Sequence, residues 1–281
     1  MIVDPEEAPV TTTDDQQAWV RRYGTAAPDA ELPRNAVLDL LYRHRSVRRF
    51  VPGEIDDATV TAIVAAAQSA STSSNLQAWS VVEVRDPDRL DALAHLAGDQ
   101  DFIRRGGVFL VFVADWARAA ELARRIGEPA EAVGYIESTL VGFVDAALAA
   151  QNAVVAAESL GLGAVYVGSV RNNPERIADL LELPDGAFPA FGVVLGHPDP
   201  ADPAGVKPRL PQGVVRHREV YRLPDADAVA RYDRAVTEYY RTQGEPRGWL
   251  RGAIARVRDA ASLHGRHTMR ASLERRGLSS R

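Results

Sequence analysis

The chain has 281 residues, 46% hydrophobic and 25% charged, an ordinary soluble composition with ample apolar content for one large domain or two small ones. Lys and Arg number 33 against 38 Asp and Glu, and the net charge of −5 argues against nucleic-acid binding by the whole surface; the lack of cysteine excludes disulfides, thiolate metal sites and cysteine nucleophiles. Met1 to Glu7 has neither a basic n-region nor an apolar h-region, and no apolar run reads as membrane-spanning, so the expectation is a cytoplasmic protein with no membrane partner.

Residues 1–33, rich in Asp, Glu, Pro, Thr and Ala, read as a partly flexible N-terminal extension with one short helical candidate at 16–23. Apolar periodicity predicts a helix over 36–42, and Asp56-Asp57 lead a second through Val60, Ile63, Val64 and Ala67 into the small polar run 69–75. Strands are predicted at 79–84, 108–114, 164–167 and 191–195, alternating with helices. The longest helix is predicted over 135–160, stopped by Gly161-Leu162-Gly163, and its alanine-rich faces suit a central or subunit-interface helix. An irregular Pro-rich stretch, 198–211, precedes helices near 226–241, 249–261 and 267–275. The pattern is α+β or α/β with a helical C-terminal arm.

Arg43, His44, Arg45, Arg48 and Arg49 put four arginines and a histidine into seven positions at the end of the 36–42 helix. Cations are favoured at a helix C-terminus, and a guanidinium fork grips phosphate. Taken alone, the segment reads as a solvated basic helix end or as an anion site. The Ser-rich turn 71–74, the strand end Tyr166-Val167-Gly168-Ser169 and the stretch Lys207-Pro208-Arg209 each have a plain reading as turn or loop. There is no Gly-x-Gly-x-x-Gly behind a strand, no Walker loop, no nucleophile elbow and no histidine pair at metal spacing, so no metal is expected. Together the four segments describe a bound anionic cofactor.

The order His44-Arg45-Ser46-x-Arg48, Ser73-Ser74-Asn75-Leu76-Gln77, Gln100, Ala150-Gln151-Asn152-Ala153, Tyr166-Val167-Gly168, Arg171-Asn172-Asn173 and Lys207-Pro208-Arg209-Leu210-Pro211 resembles the FMN-dependent nitroreductases. The closest branch is that of the oxygen-insensitive, NADPH-dependent nitroreductases and flavin reductases, and the similarity runs from about Val37 to the C-terminus. The resemblance implies an α+β nitroreductase-like fold with a central mixed sheet flanked by helices. An FMN-binding core would occupy 34–224, and an arm over 225–281 would wrap the partner in a homodimer. His44, Arg45 and Ser46, with Lys207 and Arg209, would hold the FMN phosphate and ribityl end. Arg48 would sit beside flavin N1 and O2, where a fixed cation stabilises the charge of the reduced flavin. Thr72, Ser73, Gln77 and Gln100 would contact the ring or ribityl chain. Tyr166, Val167, Gly168 and Ser169 form the strand end at which the Gly168 amide meets flavin N5, and a glycine there lets the backbone approach the ring.

The implied activity is a two-step ping-pong hydride transfer from NADPH or NADH, by way of FMN, to a small-molecule acceptor such as a nitroaromatic, a quinone or free flavin. The same fold could instead serve a dedicated metabolite, as an oxidase or biosynthetic enzyme. Nine arginines between Arg247 and Arg281, against Asp259 and Glu274, raise a basic-arm nucleic-acid interaction, which the lack of interleaved aromatics disfavours. Two positions depart from the branch. Ser169 stands where a second glycine is usual, and Gln243 stands where an arginine after Glu238-Tyr239-Tyr240 would hold the NADPH 2′-phosphate, with Arg241 and Arg247 as nearby substitutes.

Overall fold

The computed structural model describes residues 13–24 and 32–281. In chain order its elements are α1 (Thr13–Tyr23), α2 (Ala36–Arg43), β1 (Phe50–Val51), α3 (Asp57–Gln68), β2 (Trp79–Val84), α4 (Pro87–Leu96), α5 (Asp101–Arg105), β3 (Val108–Asp115), α6 (Ala117–Ile126), α7 (Ile136–Ser159), β4 (Gly163–Val167), α8 (Pro174–Leu180), β5 (Ala187–Pro198), α9 (Gln212–Val215), α10 (Ala226–Thr242), α11 (Trp249–Val257) and α12 (Met269–Arg275). The chain divides into two compact units, residues 1–45 with 203–262 and residues 46–202 with 263–281, a division that cuts across the linear segments 1–33, 34–224 and 225–281. The flexibility expected of the extension falls largely on residues 1–12 and 25–31, which lie outside the described residues.

The second unit is built on a five-stranded sheet in which β1, β5, β3 and β2 lie in that order and β4 also pairs with β5. Its strand pairings are antiparallel, and the parallel component is a single bridge between Ser46 and Ala164. Alternation along β3 explains the two layers of core. Val108, Leu110 and Phe112 face α3 and α7 in one apolar cluster, while Phe109 and Val111 face residues of α4, α5 and α8 in the other. Alanines 146, 149, 150, 153 and 157 of α7 are buried in the first cluster, and their small side chains let this 24-residue helix lie close to the sheet. By length and composition α7 could cross a membrane, contrary to the sequence expectation that no run qualifies, but its alanine face makes it a core helix.

Local chemistry sets the helix ends. Asn35, Asp56 and Asp86 accept the N–H groups of Leu38, Thr59 and Arg89 as N-caps, and Gly161 ends α7 with φ +81°. β5 is longer than the predicted 191–195, because sheet pairing extends it from Ala187 to Pro198. β1, which the sequence did not announce, exists because Phe50 and Val51 pair with Pro198 and His197. The predicted helices 249–261 and 267–275 shorten to α11 and α12, with single 3₁₀ turns at Ala261–Leu263 and Arg266–Thr268.

Candidate functional site

In the second unit the Ser-rich turn is a closed loop. Thr72 Oγ1 accepts the Gln77 N–H at 2.8 Å. The Asp145 carboxylate reaches from α7 and accepts the Ser73 N–H at 3.1 Å with Oδ1 and the Ala78 N–H at 3.0 Å with Oδ2. Arg118 of α6 donates to the Gln77 and Trp79 carbonyls. Within the loop Ser74, Asn75 and Gln77 adopt φ of 48°, 55° and 50°. Left-handed conformations cost non-glycine residues about 1 kcal/mol each and persist where surrounding bonds over-determine them, as at ligand clamps. Ser73 and Gln77 therefore sit on a braced backbone, with their side chains exposed.

At the end of β4, Tyr166 leans its ring edge on Phe191 and its hydroxyl lies 3.4 Å from Gln151 Oε1. Burial, with a smaller push from Glu158, raises its phenol well above the usual tyrosine value. Val167 is buried and pairs with Gly192. Gly168 begins a 3₁₀ turn that runs to Asn172. Its φ lies outside the left-handed region, and a Cβ there would meet Arg171 Nη2 at an ordinary 3.4 Å. Nothing among the described residues demands glycine at 168. Ser169 is also outside the left-handed region, so a serine in place of the second glycine carries no backbone strain.

Arg171 donates to the Ala190 carbonyl and is held below the usual arginine value by burial and by Arg266. Gln100 donates Nε2 to the Gly98 carbonyl at 3.2 Å, and a Cβ on Gly98 would lie 3.5 Å from Asn172 Nδ2, which places Gln100 beside the far end of the 168–172 turn. Ser46 sits at the opposite end of β4, bridged to Ala164, with the Val47 N–H on the Ala164 carbonyl at 3.0 Å. Glycine is required at 163 for this approach, since a Cβ would lie 2.8 Å from the Val47 side chain. Arg48 is exposed and makes no hydrogen bond or ion pair among the described residues.

In the first unit α2 ends as predicted, with His44 as its C-cap. The segment 204–209 is fastened along its backbone. Arg45 Nη1 donates to the Ala204 carbonyl at 3.0 Å, and the Tyr239 hydroxyl bonds both the N–H and the carbonyl of Gly205 at 3.1 Å. Tyr232 donates to the Pro208 carbonyl at 3.4 Å, and the Arg209 N–H reaches the Arg22 carbonyl at 2.9 Å. Neither Lys207 nor Arg209 pairs with a carboxylate among the described residues. A cavity of about 420 Å³ opens beside them, bounded also by Tyr232, Tyr240, Arg247 and Trp249. The Arg247 guanidinium stacks 4.1 Å from the Tyr240 ring centroid and the Lys207 ammonium lies 5.6 Å from it. Burial raises the Tyr240 phenol, but these two cations outweigh it and hold the group below the usual tyrosine value.

The predicted residues are thus divided between the units. His44, Arg45, Lys207 and Arg209 belong to the first; Ser46, Arg48, Thr72, Ser73, Gln77, Gln100, Tyr166, Val167, Gly168 and Ser169 belong to the second. Two contributors escaped sequence reasoning. Asp145 is 1% exposed, and its signal was being the lone charge between Glu137 and Glu158 on an apolar helix. Arg22 is 5% exposed, and its signal was the pattern Trp19-Val20-Arg21-Arg22-Tyr23 inside an otherwise polar extension.

Comparison with known proteins decides the family. The profile of the nitroreductase family matches residues 41–197, and that of the nitroreductase family C-terminal domain matches 207–281. The chain belongs to the nitroreductase family. An oxygen-insensitive NADPH nitroreductase of Salmonella typhimurium is 43% identical over 207 residues, 74% of this chain and 83% of that protein. An FMN reductase (NADPH) of Bacillus subtilis is 39% identical over 211 residues, 74% of this chain and 84% of that one. Among solved structures, the NADPH:FMN oxidoreductase of Vibrio harveyi complexed with NAD+ superimposes with TM-score 0.79 at 35% identity, covering 88% of this chain and all of that one. Nitroreductase family membership agrees with the α+β sheet and the helical C-terminal region described above.

Proposed function

We propose that this nitroreductase family protein is an FMN-dependent NAD(P)H oxidoreductase that reduces nitroaromatics, quinones or free flavin. The observation that carries the reading is the 204–209 segment, whose backbone is tied down while Lys207 and Arg209 lack carboxylate partners among the described residues. Fixed, uncompensated cations of this kind suit a phosphate, which arginine holds with a two-pronged contact. The Gly168 turn is compatible with the same reading, because among the described residues the side chain a Cβ would meet there is that of Arg171, at an ordinary 3.4 Å.

Bound FMN would supply the redox chemistry, passing reducing equivalents from NAD(P)H to the acceptor. The chain's own residues bind and orient. In the first unit Lys207, Arg209, His44 and Arg45 would hold a phosphate, and in the second the braced 72–77 loop with Gln100 would contact a ribityl chain or ring edge. Arg48, a cation with no partner among the described residues, would stabilise the negative charge that accumulates on a bound flavin on reduction. A cytoplasmic location accords with reliance on NAD(P)H as electron donor.

The working form is a homodimer. Ile136, Leu140, Val144 and Leu148 recur at four-residue spacing along α7, each between 43% and 55% exposed, and form an apolar ridge on the side opposite the buried alanines. A second copy would cover that ridge; of the arm 225–281, residues 263–281 pack with 46–202 of their own chain, which leaves 225–262 to wrap the partner.

The test is the absorbance and flavin content of purified protein, followed by NADPH and NADH oxidation with a nitroaromatic, a quinone and free FMN in turn. One FMN per chain and acceptor-dependent oxidation are expected. Colourless protein that fails to take up added FMN refutes the reading.

A further inference from the structure

Arg22 lies ahead of the residues the family profiles match, yet its side chain is among the most buried of the charged groups in the described chain. Trp19 and Tyr23 of α1 pack ring to ring at 4.4 Å between centroids, and Trp19 meets Tyr42 of α2 edge-on at 4.8 Å. This anchorage sends the Arg22 guanidinium to the C-terminal end of α2. Nη2 donates to the Tyr42 carbonyl at 2.8 Å and to the His44 carbonyl at 2.7 Å, while Nη1 donates to the Lys207 carbonyl at 3.3 Å. The Arg22 carbonyl in turn accepts the Arg209 N–H at 2.9 Å. The last carbonyls of a helix have no intrahelical partner and carry its negative dipole end, so a buried cation is well placed there.

One residue therefore ties together the backbones of the His44 and Lys207–Arg209 segments. These segments carry like charges that repel each other, and a receptor for a dianion needs them held close before the ligand arrives. We propose that Arg22 is a positioning residue for phosphate recognition: the N-terminal helix acts through Arg22 as a brace that preorganises His44, Lys207 and Arg209 for the phosphate of the flavin cofactor. The brace takes hold of main-chain carbonyls and an N–H, which leaves the Lys207 and Arg209 side chains for the ligand. Its buried positive charge also raises the local potential that attracts an anion.

The inference rests on the FMN reading, and its test separates the two. Dissociation constants for FMN and for riboflavin, which lacks the phosphate, are measured on full-length wild type, Arg22→Met and Arg22→Lys, with circular dichroism and thermal melting as folding controls. Arg22→Met keeps the bulk of the stem and removes every donor; it should weaken FMN by about tenfold or more, roughly 1.4 kcal/mol, and leave riboflavin binding unchanged. Arg22→Lys, which restores charge but not the fork, should recover part of the loss. Equal weakening of both flavins in Arg22→Met overturns the proposal, as does unchanged FMN affinity. If Arg22→Met does not fold, Arg22→Lys decides alone: it must lose FMN affinity selectively against riboflavin. Wild type that binds neither flavin refutes the FMN reading itself; wild type that binds FMN while the variants match it refutes only the role of Arg22.

Discussion

Replacement of Asp145 is the sharpest probe of the loop that the site depends on. Its carboxylate bridges both ends of the 73–78 segment, bonding the Ser73 N–H at 3.1 Å and the buried Ala78 N–H at 3.0 Å. Hydrogen bonds to a charged acceptor contribute about 1.5–3 kcal/mol each net of desolvation, so loss of both in Asp145→Ala should destabilise the fold by about 3–6 kcal/mol. Asp145→Asn is the finer perturbation. Its amide has the same shape, but its one oxygen can serve one donor while its NH₂ faces the other N–H, and a loss of about 2–4 kcal/mol is expected. With the loop ends released, the left-handed Ser74, Asn75 and Gln77 lose what holds them, and FMN binding should weaken in parallel. Urea unfolding with a check that the m-value is constant gives the stability, and flavin fluorescence quenching gives the binding. An Asn variant within about 0.5 kcal/mol of wild type that retains full FMN affinity would refute the reasoning, since that is the scatter of inert surface substitutions.

Gln243 caps α10 and its side chain bonds only the neighbouring Thr242 among the described residues, while Arg241 is held by Glu238 through two contacts at 2.7 and 2.6 Å. Arg247, stacked over Tyr240 and only loosely paired with Glu245 at 4.0 Å, is the less tightly held cation for an NADPH 2′-phosphate, and selectivity for NADPH over NADH should be modest. Gln243→Arg should raise it by about 1.5–3 kcal/mol through the donor KM, and Arg247→Ala should lower it; steady-state kcat/KM with both donors checks this, and unaltered ratios in both variants would count against it. Removal of Arg247 should also return the Tyr240 phenol toward the ordinary tyrosine range, visible as a later phenolate absorbance change in an alkaline titration. Arg275 of α12 pairs with Glu175 of α8; burial raises that carboxyl, but the guanidinium outweighs it and holds it below the usual glutamate value. The contribution is present above the unfolded value of 4.5 and is lost as pH falls through the lower folded value, so Arg275→Met should cost at most about 1 kcal/mol at pH 7 and the difference should fade on acidification below 4.5. On the exposed α7 ridge, Leu140→Lys with Val144→Lys should shift light scattering from dimer toward monomer; no shift would place the interface elsewhere.

Much of this protein was legible from local pattern. Asp56 as a cap, Gly161 as the stop of α7, and the apolar runs of β2 and β3 are decided by chemistry within a few residues, and the structure has them where periodicity put them. The motif residues proposed for the cofactor site stood out for a related reason: cations, glycine and small polar residues in fixed order are types that suit a phosphate and a flat ring. Pairing partners were not legible. β1 and the full length of β5 depend on contacts between residues nearly 150 positions apart, which no local window contains. Asp145 and Arg22 show the same limit in the site. Each carries only a faint signal on its own helix, and its partners are main-chain groups that the fold brings to it: the Ser73 and Ala78 amides to one, the Tyr42, His44 and Lys207 carbonyls to the other. Side chains that touch a ligand are chosen for that ligand's chemistry and leave a signature in the sequence. Side chains that position them answer to backbone atoms, which every residue has, so the three-dimensional structure alone reveals them.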